Sequence, residues 1–424
     1  MLDAKLIRNE PDRVRQALIN RNADVAYLDK FIDLDEQRRK SLGEVEALKA
    51  ERNKVSEEIA KMKKDKQDAT SEIERMREVG QRIKQMDTDM AEIEAQLSDI
   101  ILNLPNLANE SVPVGKDESA NTIERCWGEP RKFDFQPIPH WDLATKLDII
   151  DFERGSKIAG SGFILYKGLG ARLERSLINW MLDVHTREHG YTEVSPPFMI
   201  NRKSMTGTGQ LPKFEVDMYH TDKEDDLFFN PTAEVPVTNI YADEILDAEQ
   251  LPVYFTAYTA CFRREAGSAG KDTRGLLRVH QFDKVEMVKL AKPETSYDEH
   301  EKMLADAEDT LQRLEIPYRI LLLSTGDMGF SAAKCYDIEI VAPGVDKWLE
   351  VSSVSNCEDF QARRASIRYR PEPGAKPEFV HTLNGSGVAL PRLVVSILEN
   401  YQQADGTIVV PEALRPYMGV DVIG

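Results

Sequence analysis

From Val45 onward, residues recur at alternating steps of three and four: Val45, Leu48, Arg52, Val55, Ile59 and Met62. The same rhythm returns through Ile73, Met76, Val79 or Gly80, Ile83, Met86, Met90, Ile93, Leu97 and Ile100. Alternation of this kind is a heptad seam. Between the two runs lies "KKDKQDATSE", which is polar and without apolar periodicity. Ser71 followed by Glu74 fits a capping box that restarts the helix. Two heptad helices joined by a short polar turn predict an antiparallel coiled-coil hairpin, each arm about 35 residues and roughly 50 Å long. A dimerisation zipper would show the same seam. The turn argues for the hairpin, because one chain then supplies both strands. Ahead of it, residues 1–27 predict short helices, with Pro11 at a first helical turn.

After the second run the texture changes. Residues 102–135 are rich in Pro, Asn, Ser and Gly and predict a linker. "LGARLERSLINWMLDVHTREHG" predicts a helix with Leu173, Leu177, Trp180, Met181 and Val184 on one face and Gly190 as its cap. "YTEVSPPFMI" predicts a strand closed by Pro196 and Pro197. "PVYFTAYTACFRRE" and "LLRVHQFDKVEMVKL" predict strands either side of a Gly-rich loop, hence an antiparallel hairpin. "KCYDIEIVAP" and "DKWLEVSSVS" alternate as strands, and "VALPRLVVSILENYQ" closes as a helix. Strands that follow one another without regular βαβ alternation predict an antiparallel sheet with helices packed on it, an α+β domain. The expected division is residues 1–104, with the arm at about 28–102, and residues 105–424.

Composition narrows the class. The chain has 424 residues, is 41% hydrophobic and 30% charged, and carries a net charge of −18. It contains no apolar run near the roughly 20 residues that cross a bilayer, and "MLDAKLIRNE" lacks the shape of a signal peptide. The four cysteines, Cys126, Cys261, Cys335 and Cys357, are far apart, and the histidines do not cluster. A reduced, cytoplasmic protein with no zinc site is the expectation. The acidic balance argues against indiscriminate nucleic-acid binding. Locally the hairpin is basic, at Arg38, Arg39, Lys40, Lys49, Lys54, Lys61, Lys63, Lys64 and Lys66. Those charges either solvate the arm or touch a polyanion.

Against that balance, "FRREAGSAGKDTRGLLRVHQF" (262–282) concentrates Arg263, Arg264, Lys271, Arg274 and Arg278. It is neither a P-loop nor a dinucleotide fingerprint. Arg263 and Glu265, two apart, would share a strand face, as would Arg278, Phe282 and Glu286 at steps of four. Guanidiniums bind phosphate bidentately, an aromatic ring stacks a base, and a carboxylate accepts from an amine. The set suits a nucleotide triphosphate plus a small amine. A salt-bridged exposed hairpin is the plain alternative.

This segment resembles motif 2 of the class II aminoacyl-tRNA synthetases, and of the seryl enzymes in particular. Residues 171–197 are similar to motif 1. "TGTGQLPKF" (206–214), "FNPTAEVPVTN" (229–239) and "WLEVSSVSNCEDFQARR" (348–364) resemble segments of the seryl enzymes, and "LNGSGVALPR" (383–392) resembles motif 3. The hairpin is similar to the family's tRNA-binding arm. The resemblance implies a class II catalytic domain that joins L-serine to tRNA(Ser) through seryl-adenylate, using ATP and Mg²⁺. tRNA(Sec) is a further candidate acceptor, and a homodimer is implied.

It also implies roles. Arg263 holds the α-phosphate and the serine carboxylate, with Arg264 beside it at the nucleotide. Glu265 reads the adenine amine, Arg278 the terminal phosphates, and Phe282 stacks on adenine opposite Arg392. Glu350 and Ser353 hold Mg²⁺, with Val351 and Ser352 beside ATP. Thr232, Ala233, Glu234, Glu286, Asn384 and Ser386 surround serine. Pro391 stands where the family often has glycine, at a position a first helical turn tolerates. Two rivals are a synthetase-like ligase that loads a carrier protein and a non-catalytic paralogue. The arm speaks against the first, and the retained Arg263, Glu286, Glu350 and Arg392 against the second.

Overall fold

A computed structural model of the chain describes residues 1–222, 224–266 and 274–424. Lys271 therefore lies outside the described residues. The chain forms two compact bodies. One comprises Leu2–Ile19 and Ala23–Pro105, the other Asn106–Gly424 with Met1 and Asn20–Asn22.

In the first body, α1 (Ala4–Asn9) and α2 (Pro11–Asn20) precede two long helices, α3 (Ala26–Lys64) and α4 (Thr70–Asn103). Pro11 opens α2, where its missing N–H costs nothing. α3 and α4 pack against each other in opposite directions, as the ion pairs Arg38–Glu94, Arg82–Glu44 and Lys49–Asp87 record. Val45, Val55, Ile83, Leu97 and Ile100 are buried along the seam. Arg52 is exposed and Ile73 is 43% exposed, so the seam is leakier than the periodicity implies. The expected capping box is absent. The N-cap position is Ala69, which has no side-chain cap, and Asp68 just before it accepts through Oδ1 from the Thr70 amide at 3.0 Å and from the Thr70 hydroxyl. The helix begins one residue before Ser71, which leaves Ser71 inside the first turn.

The second body is built on an eight-stranded sheet: β1 (Thr122–Trp127), β2 (Thr192–Glu193), β3 (Val253–Phe262), β4 (Gln281–Ala291), β5 (Tyr318–Leu322), β6 (Lys334–Ala342), β7 (Lys347–Asn356) and β8 (His381–Ala389), in the order β1-β5-β6-β7-β8-β4-β3-β2. Every pairing is antiparallel except that of β2 with β3, at the edge. "YTEVSPPFMI" does not form one strand. It yields β2 and a separate Met199–Asn201, which pairs with Leu227–Phe229 in another sheet. Pro196 and Pro197 lie between them and have no N–H to donate to a ladder.

Three helices cover one sheet face: α5 (Leu169–Arg187), α6 (Ser296–Arg313) and α7 (Leu390–Asn400). α5 buries Leu173, Leu177, Trp180, Met181 and Val184, the five residues of its apolar stripe. Cutting one of the leucines to alanine would cost about 2–5 kcal/mol. Past its end, Gly190 takes φ +77°, the left-handed turn that glycine permits. On β4, Val285 and Met287 point into this core. The side chains that alternate with them point the other way. That opposite face carries the candidate site. Among the described residues no helix is long and apolar enough to cross a membrane.

Candidate active site

A cavity of about 480 Å³ lies on that opposite face. β4 supplies Phe282, Lys284 and Glu286 at steps of two, all lining it. Glu286 is 1% exposed yet fully partnered. Lys284 Nζ lies 2.6 Å from its Oε2, and Ser386 Oγ donates to that oxygen at 3.4 Å. Asn384 Nδ2 donates to Oε1 at 3.3 Å. Lys284 also donates to Thr232 Oγ1 at 2.8 Å. Nearby, Glu234 accepts from Gln361 Nε2 at 2.6 Å. Burial first, and then Glu286, push the Glu234 carboxyl up to about 7. A buried carboxylate, a partly buried one and one ammonium thus share the inner end of the cavity.

Arginines line the rest. β3 ends at Phe262, so Arg263 and Glu265 lie beyond the strand, and strand alternation does not place them. Arg263 is set by its amide, which donates to His280 O at 2.9 Å, and by Nε, which donates to Pro231 O at 3.3 Å. Its guanidinium carbon sits 5.2 Å from the centroid of the Phe282 ring, a cation–π contact. Glu265 takes φ +51° and pairs with Arg278, and both line the cavity. Arg278 also precedes its strand. β4 starts only at Gln281, because the Leu276 and His280 amides donate to His140 and Gly162 rather than to a ladder. Arg392 follows Pro391 in the first turn of α7, where the proline is accommodated. Its Nη1 donates to Glu350 O at 2.7 Å and approaches Glu350 Oε2 at 3.4 Å.

Three of the sequence-selected residues stand off the cavity. Arg264 turns away, its amide donating to Asp217 O and its Nη1 to Val216 O. Ala233 is fully buried at the start of the short helix Glu234–Thr238. Ser352 donates to Ser386 O at 2.7 Å and so ties β7 to β8. Val351 belongs to the core and only borders the cavity. His280 takes no part either, its Nδ1 lying 3.0 Å from the Tyr219 hydroxyl and its ring stacking on Phe163.

This geometry has relatives. Residues 1–108 match the seryl-tRNA synthetase N-terminal domain, and residues 213–401 match the tRNA synthetase class II core domain (G, H, P, S and T). The serine–tRNA ligase of Geobacillus kaustophilus (strain HTA426) is 59% identical over 419 residues, 99% of each chain. The chain belongs to the seryl-tRNA synthetase family. Two solved members agree in fold. The seryl-tRNA synthetase of Pyrococcus horikoshii, complexed with ATP, has TM-score 0.95 and 40% identity, covering 100% of this chain and 99% of its own. The cytoplasmic serine–tRNA ligase of Naegleria fowleri, in complex with AMP, has TM-score 0.88 and 30% identity, covering 100% and 98%.

For a seryl-tRNA synthetase, the donor set at Glu350 and Ser353 fits a hard divalent cation. Both offer oxygen, and both border the cavity and an adjoining acidic recess. Asp337 stands opposite Ser353 across the β6–β7 ladder. Burial first, and then the nearby Glu350, hold its carboxyl well above the usual range. Among the described residues no group of three or more His, Cys, Asp or Glu side chains is arranged to cage a metal. A site of this kind suits Mg²⁺ shared with substrate phosphates rather than a closed protein cage.

Sequence reasoning passed over Lys284, Gln361 and Asp337. A signal for Lys284 was present, since it lies midway between Phe282 and Glu286 at the step of two that defines a strand face. Stepping by four skipped it. Gln361 and Asp337 carried no local signal, because each meets its partner from a distant segment.

Proposed function

We propose that the chain joins L-serine to tRNA(Ser) in two steps at this cavity. Its enzyme class, a serine–tRNA ligase of class II, follows from the family. In the first step a serine carboxylate oxygen attacks the α-phosphorus of ATP, and the bond to pyrophosphate breaks. In the second a terminal ribose hydroxyl of the tRNA takes the seryl group, and AMP leaves. The observation that carries this reading is the convergence of Arg263, Arg278 and Arg392 with Glu234 and Glu286 on one cavity. Phosphoryl transfer asks chiefly for positioning and neutralised charge, which such a set supplies without a protein nucleophile.

Arg263 holds the α-phosphate and the serine carboxylate. Arg278 takes the terminal phosphates, and Glu265 reads the adenine amine. Their mutual pair is then exchanged for contacts to ATP, so both charges are held ready until the nucleotide arrives. Adenine stacks between Phe282 and Arg392. Glu234 and Glu286 receive the serine ammonium with Thr232, while Asn384 and Ser386 lie by its side chain. A pocket that hydrogen-bonds the serine hydroxyl would reject alanine by roughly 10⁴-fold, since alanine leaves buried polar groups unpaired. Glu350 and Ser353 would hold Mg²⁺, which when bound offsets the charge of the phosphates.

The arm of α3 and α4 reaches tRNA by shape and phosphate contacts. tRNA(Sec) is included as a second acceptor, the working form is a homodimer, and the reaction runs in the cytoplasm. Pyrophosphate exchange with each of the twenty amino acids, followed by charging of bulk tRNA, tests the core of the reading. Serine alone should support exchange, and exchange driven by another amino acid would overturn it.

A further inference from the structure

The return of the motif 2 loop is held from behind by a fully buried histidine. The Leu276 amide donates to His140 Nε2 at 3.0 Å. Nε2 is therefore the bare ring nitrogen, and Nδ1 carries the proton. Nδ1 donates to Glu399 Oε1 at 2.7 Å, and the His140 amide donates to the same oxygen at 2.9 Å. The other carboxylate oxygen, Oε2, accepts from the Gly344 amide at 2.8 Å. His140 and Glu399 are both fully buried, so no water competes for these bonds. Backbone and ring meet closely here. Gly275 takes φ +65°, and a Cβ on it would stand 2.3 Å from His140 Nε2.

Glu399 lies on α7, about two turns beyond Arg392. Arg392 Nε reaches back to Leu277 O at 3.4 Å. The contacts close a circuit: Arg392 to Leu277, Leu276 to His140, His140 to Glu399, and Glu399 along one helix to Arg392. Leu276, Leu277, Arg278 and Arg392 all line the cavity. His140 and Glu399 do not touch it.

We propose that His140 is a positioning residue for the nucleotide, fixing Leu276–Arg278 in register with Arg392 through the bond it accepts from Leu276. This rests on the reading above that the cavity takes ATP. Nothing in the circuit touches the serine end, so the effect should fall on ATP and leave serine alone.

Two substitutions separate the two ring nitrogens. Asparagine puts its carboxamide where Nδ1 stands, and glutamine puts its own where Nε2 stands. His140→Asn can keep the bond to Glu399 and loses the acceptor for Leu276. His140→Gln keeps that acceptor and loses the donor. In serine-dependent pyrophosphate exchange, His140→Asn is expected to raise the KM for ATP about tenfold, with the KM for serine within about twofold of wild type. His140→Gln should hold the KM for ATP within about threefold. Equal values in the two variants, or a larger rise in His140→Gln, would overturn the proposal. Hydrogen–deuterium exchange on the unaltered chain needs no variant. Slow exchange of the Leu276 amide supports the bond, and exchange as fast as an exposed loop amide refutes it. A wild-type chain that gives no serine-dependent exchange would sink the proposed function but not the protection of Leu276, so the two failures are distinguishable.

Discussion

Lys284 Nζ lies 2.6 Å from Glu286 Oε2, with 7% and 1% of the two side chains exposed. An ion pair this deep is costly to break from one side, because the surviving charge stays buried without its partner. Lys284→Met is expected to destabilise the chain by about 3–5 kcal/mol. Equilibrium urea unfolding checks it. An unchanged midpoint would mean that Glu286 finds other compensation, with Asn384 and Ser386 its nearest donors.

Glu234 gives a pH dependence of defined sign. It ionises at about 7 in the folded chain, against about 4.3 for an unperturbed glutamate. Between those values the folded chain keeps a proton that the unfolded chain has released. Stability therefore falls as pH rises through that window. Going from about pH 5 to about pH 7, wild type should lose on the order of 2 kcal/mol more than Glu234→Gln. Parallel unfolding curves at the two pH values would show that Glu234 does not titrate there.

Arg263 lies over Phe282 and opens to the cavity. Arg263→Ala is expected to lower serine-dependent pyrophosphate exchange by about 10²-fold or more, the usual loss when a preorganised charge-stabilising donor is removed. The far-ultraviolet circular dichroism should stay unchanged. Near-normal exchange would take Arg263 out of the α-phosphate role.

The arm belongs, with α1 and α2, to a body separate from the sheet, and has its own buried seam. Deleting residues 40–95 is expected to leave adenylate formation mostly intact and to remove tRNA charging. Comparing exchange with charging in the same preparation makes the test. A truncated chain that charged tRNA at full efficiency would end the role given to the hairpin.

How much could be read in advance depended on how local each cause was. The hairpin was legible because its seam repeats every few residues and its turn interrupts it once. Its capping was not. Ser71 and Glu74 matched a pattern, but the helix already starts at Thr70, whose amide bonds to Asp68, one of several local side-chain-to-backbone bonds open to such residues. Phe282 and Glu286 share one face because both lie inside β4, where alternation holds. Arg263, Glu265 and Arg278 line the cavity, but strand alternation does not put them there, since all three lie outside the strands.

By itself the sequence determined the helical arm, the run of strands, and the chemical types gathered in motif 2, because these follow from periodicity and from side chains near in the chain. Tertiary structure alone decided which distant polar groups meet. Lys284 with Thr232, Glu234 with Gln361, and His140 with both Leu276 and Glu399 join segments far apart in the chain. Those partners are chosen by burial. Once water is excluded, each polar group must find its counterpart across the fold, and no local pattern names it.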